Sequence, residues 1–566
     1  MRRLVLVGLL VTAGCSLPLP SGVRAPSGVT SQQQPAGLQV LPQGPTAGQS
    51  QAAAVSGFLA AQASPAGNYA IARQFLTGEA ARTWSPVSGI RVYRPEGERV
   101  TLPNPRQETS VQVHLDVVGT VDEGGHFVSA PDRPDDFYGV TKTSAGWRVS
   151  SLPRPALGLQ LSLLDLQRTF APRDVYYLAP QVPGHPGGRH LAPDLVLLPN
   201  DTGDDGVRAL VRRAFAAPSS ALDGAVDPVL TGITPEAVTR SREGVVTITL
   251  SEDANGLGAD DLRNLSARLV WTLRSGPGPF TGLRLRTARA VLRPQGGSEL
   301  QPASSWPSFD PQALGTAPSY YFVSRKRLRS SATLLPTSLF TQAAPGGQDV
   351  DEVAVSPRGD QVATLHRSGR QVAVSFGSLR SATVTDGPVA RDLASPTWGS
   401  GEAGLWMVAG KDRVVRAESG TRTLAPVTLV DRPAGPITSL AVSRDGTRAA
   451  LVVAGQVWVA EVVWRGTVPT LSGFTQLPST SATTKVLWST PTELVLLQPD
   501  QGARALARTA VDGSTSAILL TGRLVPTGIA AAGTVLVVAS NDGALYSVSQ
   551  GITKVQSSGS APAFPG

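Results

Sequence analysis

The sequence predicts a multidomain fold in which two N-terminal α+β domains precede an all-β propeller of about six blades. Helical periodicity followed by alternating strands occurs over residues 51–156, and strands alternate with amphipathic helices over residues 157–298. Over residues 299–558, two apolar strands around a turn recur at intervals of 42 to 46 residues. Repeats of that length, each with several short strands, are typical of propeller blades.

The first fifteen residues of the 566-residue chain have the pattern of an export signal. Arg2 and Arg3 are followed by the apolar run 4–11, which is too short to span a bilayer. Small residues at 12–14 then precede Cys15, the only cysteine in the chain. This pattern predicts a signal peptide over residues 1–14. The alternative is an ordinary secretory signal followed by a chance cysteine.

The small residues before Cys15 resemble a bacterial lipobox, although Thr12 stands where a lipobox usually carries Leu. The resemblance implies that Cys15 is the lipidation site and the first residue of the mature chain. The protein would then be anchored to the cell membrane on its extracytoplasmic face. Residues 15–50, rich in Pro, Gly, Ser and Gln, are predicted to form a flexible tether behind that anchor.

The chain has a formal net charge of +8, from 50 Lys and Arg against 42 Asp and Glu. The positive charge is scattered along the sequence, apart from the run Arg325-Lys326-Arg327. A basic surface outside the cytoplasm more simply faces anionic lipid or a cell-wall polymer than nucleic acid. We therefore expect no nucleic-acid partner and keep a cell-wall polymer among the candidate partners.

In the first predicted domain, residues 51–156, helical spacing begins near Gln51 and stops at Ser64-Pro65. Two further short helices, around Phe75 and over residues 79–84, precede a set of strands. These strands are expected at Ile90–Tyr93, Ser110–Val118, Phe137–Thr141 and Trp147–Ser150. The order of the elements resembles the cone-shaped folds related to nuclear transport factor 2.

In the second predicted domain, residues 157–298, strands and amphipathic helices alternate. We expect Asp204 or Asp205 to cap the first helix, and Asp260 with Asp261 to cap the second. The strands are expected at Arg173–Leu178, Leu191–Leu198, Val245–Leu250 and Leu283–Leu292. This order resembles the GerMN domain of sporulation and germination proteins.

The propeller is predicted from a turn that recurs six times, with five or seven blades as alternatives. Ring closure is expected to use a strand from the far end of the chain, and residues 559–566 are expected to form a disordered tail. The residues aligned just before the turns are Phe309, Val355, Trp398, Val442, Trp488 and Ala530.

The sequence contains no complete catalytic or metal-binding motif, which favours a protein that is not an enzyme. His185 and His190 have the wrong spacing for a helical zinc motif, and no nucleophile elbow, Walker loop or dinucleotide fingerprint occurs. The carboxylate runs 132–136 and 349–352 are expected to be solvated loops, because neither follows the calcium-loop pattern. We therefore expect no catalytic residue, no cofactor and no metal site.

Nearly the whole chain resembles the actinobacterial lipoprotein LpqB family. The residues that carry the resemblance are Cys15–Gly22, Phe75–Trp84, Ala216–Ser219 and the Ser-Pro-Arg-Gly turn at 356–359. The resemblance implies an accessory of the MtrA–MtrB two-component system that acts on the extracytoplasmic domain of the sensor histidine kinase, in envelope homeostasis and cell division. The alternative is a propeller that binds or processes an envelope glycan, with polar and aromatic residues at one mouth.

Overall fold

The computed structural model describes residues 42–102, 109–153, 158–181, 189–294, 298–312, 319–332, 349–379, 383–400, 404–478, 481–519, 521–548 and 551–566. The predicted signal peptide, Cys15 and most of the predicted tether lie outside these ranges. The end of the tether is described, and there Gln49 Nε2 donates to the Trp147 carbonyl at 3.3 Å. Ser50 caps the first helix by accepting the Ala53 N–H at 3.2 Å.

Domain one contains three helices and two four-stranded sheets around one apolar core. The elements are α1 Gln51–Ala61, α2 Ala66–Gln74, α3 Gly78–Thr83, β1 Ile90–Tyr93, β2 Arg99–Thr101, β3 Ser110–His114, β4 Val117–Val121, β5 Phe127–Asp132, β6 Asp135–Thr143, β7 Gly146–Ser151 and β8 Leu159–Ser162. The sheet orders are β5-β4-β1-β8 and β2-β3-β6-β7.

The single strand predicted at Ser110–Val118 is two strands, β3 and β4, which belong to different sheets. The chain bends between them at Asp116, whose carbonyl accepts the Arg94 N–H at 2.9 Å. Both sheets face the same core, so the alternate residues Val113, Leu115 and Val117 stay buried through the bend. The alternating pattern therefore continues across the break and cannot reveal it.

The predicted domain boundary at 156/157 falls too early. β8 pairs in parallel with β1 of domain one, with Leu159 opposite Ile90. Leu161, and Leu166 of the following helix α4 (Leu163–Thr169), are buried in the same core. A parallel edge strand is fixed only by its distant partner, so local sequence patterns do not assign it to a domain.

Domain two packs two helices against its sheets, and its core continues past the predicted end at residue 298. Trp306 and Phe309 are buried in that core. The elements are β9 Phe170–Leu178, β10 Leu191–Pro199, α5 Asp204–Ala214, β11 Pro235–Arg240, β12 Val245–Leu250, α6 Ala259–Arg274, β13 Gly282–Arg286, β14 Val291–Leu292 and β15 Leu300–Pro302. Strand β15, beyond the predicted end, also pairs with β13, and the predicted strand Leu283–Leu292 is a hairpin of β13 and β14.

The acidic residues at the starts of α5 and α6 are not the caps that the sequence predicted. Gly203 and Gly258 hold the N-cap positions, and the aspartates occupy the first helical turns. In those positions Asp204, Asp260 and their neighbours interact favourably with the positive ends of the helix dipoles. Sequence alone places a cap only to within one or two residues.

The predicted propeller is confirmed, and the described residues form six blade sheets. Blades two to six are consecutive in the chain, whereas blade one combines strands from both ends of the domain. Blade one contains β16 Tyr321–Ser324, β17 Arg327–Ser330 and β39 Ser560–Ala563, and blade two contains β18 Glu352–Val355, β19 Gln361–Ser368, β20 Gln371–Ser378 and β21 Val384–Arg391. Blade three contains β22 Leu393–Trp398, β23 Leu405–Ala409, β24 Arg413–Ala417 and β25 Ala425–Pro426, and blade four contains β26 Thr428–Leu429, β27 Ile437–Val442, β28 Arg448–Val453, β29 Gln456–Arg465 and β30 Val468–Gln476. Blade five contains β31 Lys485–Thr490, β32 Glu493–Leu497, β33 Leu506–Ala510 and β34 Ser516–Leu519, and blade six contains β35 Pro526–Ala532, β36 Val535–Ser540, β37 Leu545–Ser547 and β38 Thr553–Gln556.

The prediction of a disordered tail at 559–566 is wrong, because β39 closes the propeller ring. It pairs antiparallel with β16 as the innermost strand of blade one. Phe564 is buried beside Phe322, and the Gly566 N–H donates to the Val355 carbonyl of blade two at 3.0 Å. Phe309, which was aligned just before the turn of the first blade, is instead buried in the core of domain two. Ring closure from the far end of the chain, as expected, supplies the missing inner strand.

Candidate functional site

The innermost strands of the six blades surround a channel with a cavity volume of about 290 Å³. One edge of each innermost strand bonds to its own blade, and the other faces the channel. Hydroxyl groups join neighbouring innermost strands, as where Ser395 Oγ accepts the Leu440 N–H at 2.9 Å and Ser439 Oγ accepts the Val486 N–H at 3.2 Å. The cavity lies in the size range of small-molecule sites.

Because neighbouring strands within a blade run antiparallel, the turns after the innermost strands lie on one face of the propeller and the next turns on the other. Domain two packs against the first of these faces, which we call the docked face. Arg448 donates to the Pro193 carbonyl of domain two, and the Gly224 N–H donates to Glu461 Oε1 at 3.1 Å. A Cβ at residue 224 would lie 2.8 Å from Glu461 Oε2, so a larger residue there would require the Glu461 carboxylate to shift.

A carboxyl group with a raised pKa lies where domain two meets the docked face. Burial raises the pKa of Asp174 to about 6, while Arg448 and a hydrogen bond from Thr492 act to lower it. The charge of Glu493 acts, like burial, to raise the pKa of Asp174. Since Arg448, Thr492 and Glu493 belong to the propeller, this titrating group reports on the contact between the two domains.

The opposite surface, which we call the open face, carries the turns β16–β17, β19–β20 and β23–β24, residues 349–351 before β18 and residue 392 before β22. Lys326 Nζ lies 2.9 Å from Asp351 Oδ1, and Arg367 Nη2 donates to Glu352 Oε1 at 2.6 Å. The face has more cations than carboxylates, and most of these side chains are exposed. The cations are Arg325, Lys326, Arg327, Arg367, Arg370, Arg391, Lys411 and Arg413, and the carboxylates are Asp349, Asp351, Glu352, Asp392 and Asp412.

The charged residues that line the channel itself are Glu352, Arg444 and Lys485. Arg444 lies toward the docked face, where its guanidinium donates to the Pro565 carbonyl and, at 2.8 Å, to the Pro357 carbonyl. Glu352 and Lys485 are the first residues of β18 and β31 and lie at the open-face end. The channel is therefore charged at both ends and mostly uncharged between them.

A second polar cluster joins domain one to domain two around His126. Its Nδ1 lies 3.1 Å from Asp122 Oδ2, and its Nε2 lies 3.2 Å from Asp194 Oδ2 of domain two. Burial acts to lower the pKa of His126, but the hydrogen bond and charge of Asp194, together with the hydrogen bond of Asp122, hold the pKa above its usual value. Arg213, 2.5 Å from Nε2, acts to lower it.

This cluster has serine, histidine and aspartate together without the order of a nucleophilic triad. Ser219 Oγ donates to Asp194 Oδ1 at 2.8 Å, so the hydroxyl contacts the carboxylate and not the imidazole. A triad requires the imidazole between the other two groups, where it can take the hydroxyl proton. Asp194 also accepts the Ser219 N–H at 2.6 Å. The cluster is arranged to hold two domains together.

The structure separates the residues that the sequence singled out. His185 and Cys15 lie outside the described residues. His190 lies at the docked face of the propeller, where burial lowers its pKa. His114 faces solvent, with Nδ1 3.0 Å from Asp135 Oδ1. The run 132–136 is not a solvated loop, because Asp136 is buried in β6 and paired with Arg91.

The run 349–352 is also bound within the chain. Asp351 pairs with Lys326 and accepts the Arg367 N–H at 2.7 Å, and the Asp349 carbonyl lies 3.1 Å from His366 Nδ1. Within the described ranges, no three His, Cys, Asp or Glu side chains gather closely enough to hold a metal ion. Nor does any helix in the described part of the chain have the length and apolar character needed to cross a bilayer.

The sequence did not predict the surroundings of His126, Lys485 and Glu461. His126 follows a Gly-Gly turn between two strands, which gives no sign that a carboxylate of another domain lies beside it. Lys485 is one of five lysines in the chain, and its rarity is the only signal that the sequence offers. Each of the three acquires its surroundings from residues distant in sequence.

Two family models match the chain. The model for the N-terminal domain of lipoprotein LpqB matches residues 44–164, and the model for the lipoprotein LpqB β-propeller domain matches residues 340–565. Together they cover more than half of the sequence.

Curated relatives extend the similarity over the full length. The lipoprotein LpqB of Thermobifida fusca (strain YX) is 27% identical over 626 residues, which cover 98% of this chain and 97% of the relative. The lipoprotein LpqB of Mycolicibacterium smegmatis is 29% identical over 500 residues, which cover 82% of this chain and 80% of the relative. Among solved structures, TolB from Acinetobacter baumannii matches 70% of this chain with 12% identity and a TM-score of 0.35.

Proposed function

This chain belongs to the lipoprotein LpqB family, and on that premise we propose that it is a membrane-anchored accessory that modulates a sensor histidine kinase of the MtrA–MtrB type. It acts from the extracytoplasmic face in envelope homeostasis and cell division. Its relatives are named lipoproteins, which implies a membrane anchor. The proposed partner is the extracytoplasmic domain of the kinase.

The anchor is assigned to Cys15. Each buried methylene of an acyl chain contributes about 0.8 kcal/mol, so two or three chains on Cys15 hold the protein stably at the membrane. Confinement to one membrane raises the effective concentration of two partners, and an affinity too weak to act in solution then suffices. An anchored display protein therefore needs only a modest contact surface.

The observation that supports an accessory over an enzyme is the open face. Domain two packs against the docked face, so the charged turns on the opposite side remain exposed for a partner. The acidic and imidazole groups elsewhere are engaged in internal links, as at His126, Asp194 and Asp136. Arg325-Lys326-Arg327, at the edge of the open face, is the candidate contact.

The glycan alternative requires aromatic rings at an accessible mouth, where sugars stack. Among the described lining residues, Trp398 and Phe564 lie toward the docked face and are 2% and 6% exposed. Trp488 is half-buried, and its Nε1 donates to the Ala441 carbonyl at 3.0 Å. These rings pack the propeller, so no specific observation favours a glycan site.

The test is crosslinking in intact cells, followed by identification of the trapped protein. We expect the unaltered chain to capture a membrane histidine kinase and Arg325→Glu to reduce that capture. Arg82→Glu, an exposed arginine of domain one with the same charge reversal, is the matched control and should capture normally. Capture of no kinase, together with binding of a wall polymer by the purified chain, would overturn the proposal in favour of the glycan alternative.

A further inference from the structure

Lys485 has an unusual position for a charged side chain. It lines the propeller channel, and within the described part of the chain its ammonium group has no hydrogen-bond or ion-pair partner. Burial lowers the pKa of Lys485, and the Glu352 carboxylate acts in the opposite direction. Lys485 is half-buried, so its ammonium group faces the channel without a protein partner, and an anion in the channel would pair with it.

The other charged groups of the channel already have partners. Glu352 accepts the Arg367 guanidinium at 2.6 Å and the Ser395 N–H at 3.2 Å. Arg444 donates to two backbone carbonyls near the docked face. Since Glu352 is held by Arg367 and Ser395, Lys485 remains as the group available to bind a ligand.

The way in is from the open face. Lys485 begins β31 at that end of the channel, and Thr438 and Thr484 beside it are exposed. The rim carries Lys326 and Arg367 among the cations of the open face, which draw an approaching anion toward the mouth. Among the described residues, domain two packs against the opposite end of the channel, and this mouth is the route for a ligand.

The Glu352 carboxylate and the size of the channel favour one kind of anion. Glu352 lies near enough to act on Lys485, so a dianionic phosphate would be repelled more strongly than a single carboxylate. Hydroxyl groups take some N–H groups on the inner edges of these strands, as at Leu440 and Val486. The other backbone groups on these edges face the channel, which suits an extended peptide. A volume of about 290 Å³ accommodates a side chain with its adjoining backbone.

We propose that the propeller channel is a peptide-binding site that takes an acidic side chain through the open face and pairs its carboxylate with Lys485. This site goes beyond the accessory role proposed above, because it specifies the chemistry of the bound segment whichever protein supplies it. No bond is made or broken in the process.

The experiment measures fluorescence anisotropy of labelled hexaglutamate with the detergent-solubilised full-length protein. We expect saturable binding, and a loss of affinity of about tenfold or more in Lys485→Met, because a charge-assisted hydrogen bond is removed. Lys142→Met, at an exposed lysine of domain one, is the matched control and should bind as the unaltered chain does. Lys485→Arg, which keeps the charge, should retain most of the affinity.

Two results would overturn the proposal. The first is equal affinity of the peptide for Lys485→Met and the unaltered chain. The second is displacement of the peptide by inorganic phosphate when chloride at the same ionic strength does not displace it. The second result would indicate a small-anion site in place of a peptide site. Binding by the unaltered chain should also weaken as pH rises toward the lowered pKa of Lys485, a measurement that does not depend on a variant folding. Crosslinking to a kinase is scored separately, so failure of this site leaves the accessory proposal standing.

Discussion

Deletion of the last eight residues, 559–566, should open the propeller ring. These residues supply β39, the innermost strand of blade one, and place Phe564 beside Phe322 and Tyr320. Their removal leaves the β16 edge unpaired and exposes the apolar surfaces of blades one and six. An exposed strand edge of this kind also promotes aggregation.

The size of the effect follows from the interactions that the deletion removes. Truncation of a buried phenylalanine costs about 3–5 kcal/mol, and Phe564 is only 6% exposed. The hydrogen bond from the Gly566 N–H to the Val355 carbonyl contributes about 1 kcal/mol. We therefore expect a loss of at least about 4–6 kcal/mol, a large part of the total stability of an ordinary domain.

The assay is urea unfolding followed by tryptophan fluorescence. With a urea dependence of about 2–3 kcal/mol per molar, this loss lowers the propeller transition by about 2 M. Phe564→Ala alone should account for most of the shift. Phe137→Ala is the matched control: Phe137 is 51% exposed, and its loss should change stability by less than about 0.5 kcal/mol.

An unchanged transition in the 559–566 deletion would refute the reasoning. It would mean that the ring is held by contacts between neighbouring blades and that β39 adds nothing to closure. A deletion that shifts the transition while Phe564→Ala does not would assign the effect to backbone pairing.

Three further predictions concern the anchor and the domain contacts. Cys15→Ala should move the protein from the membrane to the soluble or culture fraction, and unchanged retention in the membrane would contradict lipidation at Cys15. Arg91→Met should destabilise domain one by about 3–5 kcal/mol, because it leaves the buried Asp136 carboxylate without its partner. Arg91→Met combined with Asp136→Leu should restore much of that loss in thermal unfolding. The raised pKa of His126 stabilises the contact between domains one and two fully below pH 6.5, and this contribution is lost as pH rises through the raised value. His126→Gln should abolish that part of the pH dependence, and an unchanged pH profile would show that the link to Asp194 is not responsible.

The sequence by itself determined the architecture wherever the pattern is local. Each blade repeats an apolar strand, a turn and a second strand. Val355, Trp398 and Val442, which were aligned just before the turns, end the innermost strands β18, β22 and β27 as expected. Helices α1, α5 and α6 lie where their periodicity placed them. Periodicity and turn chemistry depend on neighbouring residues only, so one sequence is enough to find them.

The tertiary structure alone decided how distant segments combine. The strand at 560–563 carries no repeat signal, because its role is to complete a sheet begun more than 230 residues earlier at β16. Likewise, β8 is assigned to domain one by its parallel pairing with β1, which begins at Ile90. These assignments depend on backbone partners, which the order of residues along one strand does not specify.

The candidate site was decided in the same way. Lys485 is an ordinary lysine at the start of a strand until six blades enclose it, and His126 becomes a link only when Asp194 of another domain lies 3.2 Å from it. Burial and nearby charge set the properties of both groups, and both are produced by folding. The sequence therefore determined which strands and helices form, and the tertiary structure determined which of their charged residues can act together.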